Sequence, residues 1–185
     1  MKRIPGFDEL PQNEVVEFEK LKVGAYICQI KSVEDVEDKE YLKIKFDIVD
    51  GEYKNWFNDM SQGNLDNWSS QGTTYRSYKD TATRFFKAFI TAIEKSNAKS
   101  NFRWNWDEKT LVGKYFVAVY GEEEYEDQFG DVKVNVKVQD IRSIPALREG
   151  AIKLPELKKL KTKSETKPET NNYKGIDISD DDLPF

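Results

Sequence analysis

Histidine is missing from this 185-residue chain, and cysteine occurs once, at Cys28. Those two facts remove much of ordinary enzyme chemistry. No His-containing triad or His-based acid–base pair can be assembled, and one thiol cannot supply a Cys-rich metal site or an internal disulfide. Long apolar runs are missing too. Nowhere do about 18 apolar residues stand together, and the opening MKRIPGFDELPQNE has no apolar core of a signal peptide. Neither a membrane span nor a leader is expected, and the cytoplasm is the expected compartment. No GxxxxGK[ST] phosphate loop occurs, since Gly113-Lys114 is followed by Tyr115 and lacks the upstream glycine. The acidic run Asp177 to Asp181 lacks the central Gly and closing Glu of a calcium loop. Pairs such as Glu40 and Lys43 formally suit a nuclease, but with 34% charged residues such pairs arise everywhere. No cofactor or metal is expected. The chain reads as a binder, not an enzyme.

Charge is unevenly spread. Residues 1–150 carry 22 basic and 27 acidic side chains, residues 151–170 six Lys against three Glu, and residues 171–185 Lys174 against four Asp. The body is therefore acidic, which is not the footprint of a simple nucleic-acid binder. Affinity for phosphate depends on the local groove, however, and a surface can segregate its charges.

Hydrophobic patterning predicts a mainly β body with one helix. Strands are expected over 23–33 and 41–49. In the second, Leu42, Ile44, Phe46 and Ile48 alternate with Tyr41, Lys43, Lys45 and Asp47. Asp50-Gly51 predicts a two-residue hairpin into a third strand over 52–60. A long polar loop, 61–78, carries Trp68, Tyr75, Arg76 and Tyr78. Asp80 is the expected N-cap of a helix to about Lys95, with Phe85, Phe86, Phe89, Ile90 and Ile93 at helical spacing. After a connector, 101–106, strands are expected over 110–120 and 132–138, separated by a Glu-rich turn. Cys28 falls in an apolar strand and is expected to be buried. The order β-β-β-α-β-β is that of the five-stranded OB-fold barrel. Residues 1–160 are read as this domain. Residues 161–175, rich in Lys, Thr, Glu and Asn, are read as a disordered linker, and 176–185 as a separate tip.

That tip ends Asp180-Asp181-Asp182-Leu183-Pro184-Phe185. An apolar anchor with three carboxylates and a terminal carboxylate suits a shallow hydrophobic pocket rimmed with Arg or Lys, and Pro184 reduces the entropy lost on docking. Acidic tails are commonly mere solubilising segments, yet such a tail has no need of Leu183 and Phe185. The ending resembles the C-terminal tip of the bacterial single-stranded DNA-binding protein family, with Leu183 where that family more usually has Ile. The resemblance covers residues 176–185. It implies docking of replication, recombination and repair proteins on Asp180, Asp181, Asp182, Leu183, Pro184 and Phe185.

The body is similar to a group of bacteriophage proteins through Phe86-Lys87-Ala88-Phe89-Ile90, Glu94-Lys95-Ser96-Asn97, Leu111-Val112-Gly113-Lys114, Arg148-Glu149-Gly150 and Leu154-Pro155-Glu156-Leu157-Lys158. This implies a phage or prophage replication-module protein in a bacterial host, OB-folded, with single-stranded DNA as its ligand. Non-specific binders of single strands combine a basic groove with aromatic stacking platforms. Tyr41, Lys43 and Lys45 of the second strand, Lys54 and Trp56 of the third, and Lys133 and Lys137 of the fifth supply both. Arg103 and Trp104 of the connector join them, with Trp68, Tyr75, Arg76 and Tyr78 of the loop as further candidates. Alternating Lys is also how any soluble sheet faces water, and Trp104 and Trp106 suit a core as well as a stacking surface. The turns at 34–38 and 122–127 are acidic. They motivate an alternative: an OB-fold adaptor or decoy that captures host proteins through its tip with little DNA affinity.

Overall fold

A computed structural model of the chain describes Arg3 and residues 20–160. The expected linker 161–175 and tip 176–185 lie outside the described residues. The described part is mainly β: five antiparallel strands form one open sheet in the order β3-β2-β1-β4-β5. Strands β1 (Gly24–Val36) and β2 (Tyr41–Ile48) pair from Cys28 opposite Ile48 to Val36 opposite Tyr41, with an irregularity between Ile30 and Ser32. The other side of β1 pairs with β4 (Tyr115–Glu126), which in turn pairs with β5 (Val132–Arg142). Residues Phe116 to Tyr120 are buried on both faces, as their unbroken apolar run requires. No helix among the described residues is long and apolar enough to cross a membrane.

The third strand is not where the Asp50-Gly51 signal puts it. Residues 52–60 form turns and a short helix, α1 (Trp56–Met60), and β3 is Thr73–Ser77, inside the expected loop. The spacing explains the change: Tyr53 and Phe57 are buried and Trp56 half-buried, an i, i+3, i+4 set that belongs to a helix. Asp47 anchors the departure, its Oδ1 accepting from the backbone N–H of Ile48 at 2.9 Å and of Phe57 at 3.0 Å. Trp68, expected to be available for stacking, instead caps the end of the β2–β3 ladder. Its indole N–H donates to the carbonyls of Phe46 and Gly72, both at 3.1 Å.

Other boundaries shift too: β1 runs on to Val36, through part of the expected acidic turn, and β5 runs on to Arg142. Asp80 opens a single 3-10 turn, and the main helix α2 (Thr83–Ser96) starts after Ala82 without a side-chain cap. Residues 108–111 form another 3-10 turn, so β4 begins later than expected and runs on through the Glu-rich segment to Glu126. In β5, Val136 and Val138 pack against the core, whereas Val132 and Val134 are 59% and 53% exposed. A short helix, α3 (Ile144–Arg148), follows β5, its Ser143 hydroxyl accepting from Ala146 N–H.

One core joins the inner faces of β1, β2 and β4 to α2 and to Tyr53 and Phe57, with Cys28, Ile44, Phe46, Ile93 and Phe116 fully buried. Burial pushes the Cys28 thiol far up, so it is held protonated. Gly72 is where the core tolerates least. A Cβ there would lie 2.6 Å from Phe57 Cγ and 2.7 Å from Trp68 Nε1. Gly72→Ala is therefore expected to cost about 1–3 kcal/mol by overpacking. A thermal melt of the variant should show a Tm lower by several degrees.

Candidate nucleic-acid interface

Register brings part of the expected set together on one face. Across β2 and β3, Tyr41 stands opposite Ser77, Lys43 opposite Tyr75, and Lys45 opposite Thr73. On the other side of β2, the same three residues face Val36, Glu34 and Ser32 of β1. Cross-strand partners share a face of the sheet, so Tyr41, Lys43, Lys45 and Tyr75 form one outward surface. The two tyrosine rings meet edge to face at 5.5 Å between centroids. That contact fixes two flat aromatic groups beside two ammonium groups.

Neither lysine is unrestrained. The Lys45 ammonium donates to the Leu65 carbonyl, tying β2 to the loop, and Lys43 lies 3.9 Å from Glu34. An exposed pair at that separation contributes little to stability, so phosphate can compete with Glu34 for Lys43. Tyr78, just beyond β3, donates from its hydroxyl to Asp35 at 2.8 Å. Burial first, then this bond, pushes its phenol up to about 12.

The remaining expected residues are placed elsewhere. Lys54 is exposed in the turn before α1. Trp56, expected to face solvent, is half-buried against Tyr53 at 5.1 Å, and its indole N–H is buried without an acceptor. The reason is the helix: on a strand Trp56 and Phe57 would face opposite ways, but on α1 both turn toward the core. Lys133 and Lys137 stand on β5, across the unclosed seam from β3. Lys133 is paired with Asp127, and Lys137 lies 3.7 Å from Glu123. Burial raises the Glu123 carboxyl, but Lys158 and Lys137 outweigh it and hold that group below its usual range. The Lys133 bond, helped by backbone N–H groups of the turn, does the same for Asp127. Lys133 is therefore held by its own hairpin, while Lys137 has only a longer contact with a carboxylate that also bonds Lys158.

Arg103 is exposed, while Trp104 is half-buried against Phe86 at 6.2 Å. Arg76 points inward, opposite buried Leu42, with its guanidinium 5.8 Å from the Phe89 ring centre. Burial lowers its pKa to about 10, opposed by Asp140. It is a structural cation at the seam between β3 and β5. The seam has no strand-to-strand ladder. It is spanned by Gln71, whose side-chain amide donates to the Val136 carbonyl at 2.9 Å, while the Tyr120 hydroxyl donates to the Gln71 carbonyl at 2.6 Å.

Two residues carry more of the surface than their sequence signal suggests. Tyr75 joins this face only because β3 forms inside a loop, where its alternation with Thr74 and Arg76 is the available clue. Trp106 suits the core by composition but is 82% exposed. No family model matches this chain, and no curated protein matches it either. The functional reading therefore rests on the residues themselves.

Proposed function

We propose that the chain is a sequence-independent single-stranded DNA-binding protein. It protects single strands and recruits replication, recombination and repair proteins through residues 176–185, in the cytoplasm of a bacterial host. The observation that carries the DNA half is the β2–β3 face, where the paired rings of Tyr41 and Tyr75 lie beside Lys43, with Lys45 next along the same face. Strands two and three are the usual ligand surface of an OB-fold. The strand order, with α2 between β3 and β4, is compatible with a partly open barrel of that type, with Gln71 bridging the two end strands.

A second reading is an adaptor that uses the tip alone. Its support is the acidic body and Glu34 lying opposite Lys43. One deletion separates the two halves of the function. Removing Asp177–Phe185 is expected to abolish capture of host single-strand-processing proteins and leave the Tm unchanged, because the described core is built without it. DNA affinity should hold or rise, most at low salt, since four Asp side chains that compete with phosphate are removed. Phe185→Ala should reproduce the capture defect alone. Affinity capture from a bacterial lysate, with a labelled-oligo(dT) titration of the same preparations, measures both. A marked loss of DNA affinity on truncation would contradict this division of labour.

A further inference from the structure

Among the described residues, Trp106 is the most exposed of the large apolar side chains, at 82%. Its backbone sits at φ 65, in the left-handed region that bulky L residues rarely occupy. The turn is braced on both sides. Asn105 Oδ1 accepts from Asp107 N–H at 3.3 Å, and Asp107 Oδ1 accepts from Lys109 N–H at 3.0 Å. Behind the exposed ring lies Trp104 at 6.2 Å, itself set against Phe86, which belongs to the core. A flat π-surface is thus held out to solvent on a rigid aromatic base, in a backbone conformation that works against a bulky residue being there.

The charge around it selects the partner. Residues 97–115 carry Lys99, Arg103, Lys109 and Lys114 against Asp107 and Glu108, in a chain whose net charge is −5. Arg103 and Lys109 are exposed, and the Lys114 ammonium lies 4.7 Å from the Phe102 ring centre. A locally basic segment presenting one supported indole has the chemistry that takes a nucleobase on the ring and its phosphates on the flanking cations.

We infer that Trp106 and Arg103 form a second contact for single-stranded DNA, separate from the β2–β3 face. A base stacks on the Trp106 indole, and Arg103 meets the adjoining phosphate. This rests on the DNA-binding reading above and extends it: one strand touches both the sheet face and the connector between α2 and β4.

The test is titration of the full chain and its Trp106→Ala, Trp106→Gly and Arg103→Ala variants with labelled oligo(dT) of about 16 nucleotides, the upper range for one OB-fold. Losing one stacked base is expected to weaken binding by roughly 5- to 150-fold for both Trp106 variants. Arg103→Ala should lower the log–log salt slope by about 0.7. Trp106→Gly should melt at or above the wild-type temperature, because glycine adopts φ 65 without strain. Its binding loss then reports contact and not unfolding. If the wild type binds and both Trp106 variants bind equally well, this inference falls while the β2–β3 reading stands, and the exposed indole serves a protein surface instead. If the wild type binds no oligo(dT), the underlying reading fails and takes this inference with it.

Discussion

Replacing Lys43 and Lys45 together with Ala should lower the affinity for oligo(dT) and flatten its salt dependence by about 1.4 in log–log slope, since each single-strand phosphate contact contributes about 0.7. Tyr75→Ala should behave differently. Removing a stacking ring costs about 1–3 kcal/mol per base, but releases few counterions, so affinity falls while the slope holds. The two signatures distinguish a groove from a generally cationic surface. Anisotropy titrations between about 50 and 200 mM salt, a range over which phosphate contacts alone change affinity by orders of magnitude, read both. Lys133→Ala with Lys137→Ala serves as the contrast. Lys133 is already bonded to Asp127, and neither lysine stands beside the Tyr41–Tyr75 pair, so the pair should change the slope less. Equal effects from the two lysine pairs would mean that the sheet face has no special standing.

Asp47→Ala should be among the most destabilising single substitutions in the body. Asp47 is 1% exposed, and its Oδ1 holds the N–H groups of Ile48 and Phe57 where the chain leaves β2 for α1. Each buried donor left without an acceptor costs about 1–3 kcal/mol, so the variant should lose roughly 2–6 kcal/mol. Asp47→Asn keeps the Oδ1 acceptor and should lose much less. The pH dependence carries its own signature. Burial raises the Asp47 carboxyl above its ordinary value of 3.8, outweighing the backbone N–H groups of Phe57, Ile48 and Asn58 and the charge of Lys31, which lower it. The folded state therefore holds this proton more tightly than the unfolded chain. Its contribution to stability is complete below 3.8 and is lost as pH rises through the raised value. Asp47→Asn removes that dependence. The stability of the wild type relative to Asp47→Asn should fall as pH rises from the ordinary value upward, measured by denaturant unfolding at matched pH. A difference that does not vary with pH would show that Asp47 titrates normally.

The parts of the fold that follow from strict local periodicity were legible in the sequence. The Leu42-to-Ile48 alternation and the Phe86-Phe89-Ile90-Ile93 face each correspond to an observed element with those side chains buried, whereas Phe85, expected with them, is 50% exposed. The third strand was not, because Asp50-Gly51 is a strong local turn signal whatever follows it. The turn forms, but Asp47, three residues upstream, redirects the chain into α1. Trp68 likewise shows why an aromatic in a polar loop is ambiguous: its donor is taken up by backbone carbonyls that only the tertiary fold brings near. The site was half legible. Tyr41, Lys43 and Lys45 come together because β2 is regular. Lys54 and Trp56 separate from them because residues 52–60 form turns and a short helix instead of a strand, and Lys133 is paired with Asp127, which periodicity does not register. Trp104 is half-buried and Trp106 exposed, a difference that their shared residue type and alternation do not register.

The central claim, that this acidic chain binds single-stranded DNA on the β2–β3 face, is tested most directly by one titration. The full chain is added to labelled oligo(dT) of about 16 nucleotides across increasing salt, beside Lys43→Ala/Lys45→Ala under the same conditions. Salt-sensitive binding by the wild type, with a log–log slope of about −1.4 or steeper that flattens in the double variant, is the predicted result. Absence of binding at the lowest salt, while capture of host proteins through the tip persists, would contradict it and leave the chain an adaptor.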